Sequence, residues 1–156
     1  MKKTIINKEL TLLYTEKFHI MSDKELVKFC GIAVNHWGIC DEKNHCLFIV
    51  SWTKSGLLNF LTDAKSVIRG AERCMEKNLH NYRRTDSFTT TIAQRKAQSI
   101  RFTYEVNDSE LTQIGETSVF RADRKFYAIQ YISRQCYDDE NRGVCRDILQ
   151  SVALTV

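Results

Sequence analysis

The sequence has no proline at all, where a chain of its 156 residues would carry about eight at average usage. No Pro/Gly/Ser-rich stretch separates halves, no repeat period appears and no segment is low in complexity, so one domain spanning 1–156 is expected. Glycine is scarce too. With six in all, the chain forms no phosphate-binding loop, no dinucleotide fingerprint and no nucleophile elbow. No histidine pair has metalloprotease spacing, so only a site assembled from distant residues would make this an enzyme. The expectation is a non-catalytic protein with no metal and no cofactor.

Long apolar runs are also missing. No window approaches 18 uncharged apolar residues, which predicts no transmembrane helix. Lys8, Glu9 and Glu16 interrupt any apolar run of signal-peptide length after Lys2-Lys3, so a cytoplasmic location is expected. The six cysteines (Cys30, Cys40, Cys46, Cys74, Cys136, Cys145) are then expected to be reduced. The net charge of +4 is mildly basic, short of the footprint of a dedicated nucleic-acid binder.

The patterns that are present describe a mixed domain. "TLLYTEKFHI" (11–20) alternates loosely and reads as a strand. In "SDKELVKFCG", Ser22 and Glu25 have capping-box spacing and Gly31 supplies a left-handed stop, which predicts a helix. Apolar residues from Leu57 to Leu79 recur at helical spacing, enough for a helix of about 33 Å, unless Thr62-Asp63 divides it. After it the period becomes two. "RRTDSFTTTI" (83–92) is rich in Thr and β-branched residues. In "SIRFTYEV" (99–106), Ile100, Phe102, Tyr104 and Val106 share one face; Ser99, Arg101, Thr103 and Glu105 share the other. "NDSE" makes a turn, and "GETSVF", "RADRK" and "FYAIQYIS" form a hairpin. "YDDENRGVCRDILQSV" reads as a helix capped by Asp138, with Val144, Cys145, Ile148, Leu149 and Val152 as its buried stripe. "CLFIVSW" (46–52) and "FYAIQYIS" (126–133) are apolar on both faces, so they belong at the centre of a sheet covered on each side. The long helix would cover one side and the two shorter helices the other. The fold class is α/β (α+β): a three-layer α/β/α sandwich around a largely antiparallel sheet.

This order of elements resembles the PsbP-like family, which includes photosystem PsbP, a Ran-GTPase-binding nuclear-transport protein and bacterial DcrB-like proteins. The order is an early strand, the core strand "HCLFIVSW", a long helix, the strands "FTTTI", "SIRFTYEV", "GETSVF" and "KFYAIQYIS", and a terminal helix ending "DILQSVAL". The likeness runs over about residues 10–156 and is most specific over 115–154. It implies a binding or assembly protein of bacterial type without a shared catalytic site, and no functional residue transfers position by position. Many bacterial members are exported or lipoproteins, whereas this chain shows neither a signal nor a lipobox cysteine.

The stretch "HWGICDEKNHCLFIVSW" (36–52) carries His36, Cys40, His45 and Cys46, a set zinc could use. With "DEKN" as the loop, Cys40 stands opposite His45, His36 lies about 13 Å back along the strand, and Cys46 points to the other face. Donors on one zinc must lie within about 4 Å of each other, so at most two converge and a hairpin is the better reading. A register shifted by one would set Cys40 opposite Cys46 as a thiol pair. Cys136, beside Arg134 at a helix start, is the remaining candidate thiol. Arg121, Arg124 and Lys125, with Arg95-Lys96, sit in hairpin turns where they could form an anionic docking patch.

These residues predict a binding or assembly module that docks another protein, or a second copy, through an exposed sheet face or edge, with Arg101 and Thr103 on the more polar face. The alternatives are a small-molecule or thiol-redox protein with a pocket between sheet and helix, and a weak nucleic-acid binder.

Overall fold

The computed structural model of the chain describes residues 1–54, 62–106 and 111–155. A first hairpin, β1 (Lys2–Ile6) and β2 (Leu10–Tyr14), turns through Asn7 and Lys8, both in the left-handed region at φ 50° and 62°. The frame of the molecule is a seven-stranded antiparallel sheet. It contains β3 (His19–Ile20), β4 (His36–Asp41), β5 (Cys46–Trp52), β6 (His80–Ile92), β7 (Arg95–Glu105), β8 (Thr112–Ala122) and β9 (Lys125–Arg134). Their spatial order is β3-β4-β5-β9-β8-β7-β6. The chain ends in β10 (Ala153–Leu154), which pairs with β2 to complete a separate three-stranded sheet β1-β2-β10.

Why β5 and β9 are apolar on both faces follows from this order: they are the third and fourth strands of seven. Phe48 and Val50 of β5 and Tyr127, Ile129 and Tyr131 of β9 join the main core, with Leu10, Leu12, Cys145 and Ile148. Ile49, on the opposite side of β5, packs instead with Met21, Leu26 and Cys40.

Among the described residues three helices complete the layers. In α1 (Asp23–Cys30) both halves of the expected capping box form, and Gly31 closes the helix at φ 78°. Asp63 caps α2 (Ala64–Asn78) by accepting from the Ser66 amide at 2.8 Å, so the helix measures about 22 Å rather than 33 Å. The earlier part of that expected helix, and the "NDSE" turn, lie outside the described residues. α2 packs Ile68 against Ile100, Phe102, Val119 and Phe126. α3 (Asp138–Ser151) follows a short 3-10 turn (Gln135–Tyr137) and buries Asn141, Cys145 and Ile148. α3 and the small sheet cover one face of the large sheet; α1 and α2 share the other. The three-layer sandwich is therefore present, but α1 lies beside α2 rather than beside α3. Among the described residues no helix is long and apolar enough to cross a membrane.

The expected strand 11–20 is two strands in different sheets. It breaks after Tyr14, and Phe18 turns into the core between them.

Candidate functional site

On the face that carries α1 and α2, the described residues leave open a strip of sheet between the two helices. It forms a cleft of about 540 Å³. Leu47, Ile132, Gln113 and Tyr104 supply its floor from β5, β9, β8 and β7. Phe29 of α1 stands on one side; Asn78 and Leu79, at the end of α2, stand on the other. Cys40, Glu42, His45, His80, Glu105 and Arg134 are also among its lining residues. The alternation of the strands sets this arrangement: Leu47 pairs with Ile132 and Gln113 with Tyr104, so all four side chains rise from one face. Gly115 of β8 lies directly over Phe102, where an added Cβ would sit 2.3 Å from the ring. The missing side chain lets Phe102 lie flat beside Tyr104, ring centroids 6.2 Å apart.

The 36–52 hairpin closes one end of the cleft. Asp41 accepts from the Asn44 amide at 3.2 Å and from Asn44 Nδ2 at 2.6 Å, and His45 takes the left-handed region at φ 50°. The turn is therefore 42–45, Asp41 stands opposite Cys46 and Cys40 opposite Leu47. Both expected registers are displaced, because Asp41 ends its strand by holding the turn rather than entering it. Cys40 packs with Met21 and Leu26, whereas Cys46 enters the main core on the other face. The two thiols are on opposite sides of the sheet. His36 Nδ1 donates to the Val34 carbonyl, 2.7 Å away.

Two groups of the cleft, the Cys40 thiol and the Tyr104 phenol, are held in their neutral forms. Burial, reinforced by the Glu42 and Glu25 carboxylates, pushes the Cys40 thiol up to about 11. Burial alone pushes the Tyr104 phenol up to about 12. Both are neutral at physiological pH, and a neutral buried thiol is a poor nucleophile. Arg134 turns to His45, Nη1 to Nε2 3.2 Å, instead of to Cys136, which is exposed in the 3-10 turn.

The polar face of β7 differs most from expectation. Arg101 is not presented to solvent: it is 8% exposed, and α3 closes over it. Its Nη1 donates to Glu116 Oε2 at 3.0 Å and to the Tyr131 hydroxyl at 2.7 Å, and its Nη2 to Asp138 Oδ2 at 3.1 Å. Burial alone would lower the guanidinium's pKa, but Tyr131, Asp138 and Glu116 outweigh that and hold it charged. Asp138, expected as the cap of α3, is thus the ion-pair partner of Arg101; the N-cap residue is Tyr137, and among the described residues no side-chain hydrogen bond caps the helix there. Thr103, two residues on, is half-buried beside a second, more polar cleft of about 410 Å³ that includes Tyr82 and Arg83.

The basic turns lie at the end of the sheet away from the cleft. Arg121 covers the Phe126 ring at 4.8 Å and donates to the Thr62 carbonyl. Lys125 pairs with Glu9 at 2.6 Å. Arg124 is exposed in its turn. Arg121 and Lys125 are therefore engaged within the fold.

No protein-family model matches the chain, and no curated protein matches it. Solved structures do. CyanoP, the cyanobacterial PsbP of Synechocystis sp. PCC 6803, superposes with a TM-score of 0.70 at 12% identity, covering 99% of this chain and 92% of its own. LpqN of Mycobacterium tuberculosis, a protein involved in cell envelope biogenesis, gives 0.63 at 15% identity over 94% and 83%. PA94 of Pseudomonas aeruginosa, a protein of unknown function, gives 0.55 at 14% identity over 68% and 70%. The chain has the PsbP-like fold.

Proposed function

We propose that this protein is a non-catalytic binding module that takes a segment of another protein into the cleft between α1 and α2. The observation that carries this reading is the strip of central sheet that the described residues leave uncovered, with Leu47, Tyr104 and Ile132 on its floor and charged residues at its edge. An apolar floor with a polar rim is the usual anatomy of a protein-docking surface. Val27, Phe29, Ile32 and Val34, on and just after α1, are each about half exposed or more, and they extend the apolar surface beyond the cleft.

The face is favoured over the edge. The long outer strand β6 is interrupted by two register shifts, and Arg83, Arg84 and Asp86 occupy its middle. Bulges and charge of this kind discourage strand addition. A small-molecule ligand is the second reading, favoured by the cleft's volume, which lies within the range that holds such ligands. The thiol-redox version of it is disfavoured by the raised Cys40. Nucleic-acid binding loses support with Arg121 and Lys125 tied to internal partners.

The test is co-purification from the host with wild-type protein, with Phe29→Glu and Ile132→Thr in the cleft, and with Lys96→Glu at the far end of the sheet. A polypeptide held by the wild type and by Lys96→Glu, but lost from both cleft variants, supports the reading. Retention by the cleft variants contradicts it.

A further inference from the structure

Beside the cleft, three side chains from three separate elements converge: His19 of β3, Glu25 of α1 and Glu42 of the β4–β5 turn. Their donor atoms all lie within 4.8 Å of one another. We propose that they form a binding site for a divalent transition-metal ion of the zinc type.

The distances fit one shared ion. With metal–donor bonds of about 2.0–2.2 Å, two donors on one zinc stand about 3–3.5 Å apart. His19 Nε2 and Glu25 Oε2 are already 3.0 Å apart. Glu42 needs only a small side-chain rotation to join them, and it sits in an exposed turn where that rotation is free. One imidazole with two carboxylates selects zinc and its neighbours over calcium or magnesium, which prefer oxygen alone.

Glu25 is oriented for the role. Its Oε1 accepts from the Ser22 amide and hydroxyl, each at 3.3 Å, as part of the α1 capping box. That leaves Oε2 directed at His19. A ligand carboxylate fixed through its second oxygen is the arrangement that outer-shell contacts give metal sites. Glu42 sets a second negative charge beside Glu25. A cation between them relieves that repulsion. Three protein donors leave open positions for water or for a donor atom of a bound partner. Glu42 also lines the cleft, which sets the ion next to it.

Calorimetric titration of the full chain with zinc chloride tests this, using wild type, His19→Ala and Glu42→Gln. Glu25 is left intact because its other oxygen caps α1. Cobalt(II) spectra of the same samples report whether thiolates bind the ion. The expected result is one zinc per wild-type chain, an affinity about 10–100-fold lower in each variant, unchanged melting in EDTA, and no thiolate-to-cobalt band. Absence of binding in the wild type, wild-type affinity in either variant, or a thiolate band would overturn the proposal. The cleft variant Ile132→Thr keeps full zinc affinity, so failure of the docking reading and failure of this one are distinguishable.

Discussion

Arg101 Nη2 lies 3.1 Å from Asp138 Oδ2, an ion pair that joins the middle of β7 to the first turn of α3. With Glu116 and Tyr131 it makes a buried charged cluster between two layers of the sandwich. Removing the cation would leave two buried carboxylates unpaired. Arg101→Met should therefore cost about 3–5 kcal/mol, read as a lower midpoint in urea unfolding. Adding Glu116→Gln and Asp138→Asn to that variant should recover part of the loss, because the stranded charges are then gone.

A second expectation concerns glycine. An added Cβ at Gly115 meets the Phe102 ring at 2.3 Å, whereas at Gly38 its nearest neighbour is the Met21 sulfur at 2.8 Å. A ring held in the core cannot yield as a flexible thioether can. Gly115→Ala should cost about 1–3 kcal/mol and Gly38→Ala distinctly less. Thermal melting of the two variants side by side checks the order.

Acid should act through Glu9. Burial works to raise its pKa, but hydrogen bonds from Lys125 and Tyr127 outweigh it, so the folded value lies below the ordinary 4.5. A carboxyl with a depressed folded pKa adds stability above its unfolded value and loses it as pH falls through the folded one. The stability gap between wild type and Glu9→Gln should be full at neutral pH, shrink below about pH 4.5 and close in stronger acid. Urea midpoints across that range measure it.

Thiol labelling separates the cysteines. Cys46 and Cys145 are 1% and 0% exposed with their sulfurs 3.4 Å apart, and the hydrogen bond between them, with burial, drives the Cys145 thiol up. Cys74 and Cys136 are exposed. Iodoacetamide should modify Cys74 and Cys136 in the native protein and reach Cys46 and Cys145 only on unfolding, as peptide mass mapping would show.

The layers of the fold were legible because burial on both faces leaves an uninterrupted apolar run, as in β5 and β9. The cap of α1 was legible for a local reason: Ser22 and Glu25 lie three residues apart. What escaped was set by contacts distant in sequence. Arg101 looks solvent-facing in an alternating strand, and only the return of α3, 37 residues later, buries it. β1 escaped because its turn uses Asn7 and Lys8 in the left-handed region with no glycine to signal it. The cleft follows from where α1 and α2 leave the sheet bare, which no local pattern records. His19, Glu25 and Glu42 meet for the same reason, across 23 positions of chain that hold a helix and a strand.

The most direct test of the central claim is native mass spectrometry of the protein purified gently from its host, wild type beside Phe29→Glu. A stoichiometric polypeptide is expected on the 18.2 kDa wild-type species and not on the variant. A polypeptide that stays on Phe29→Glu, or an increment of small-molecule size in its place, would contradict it.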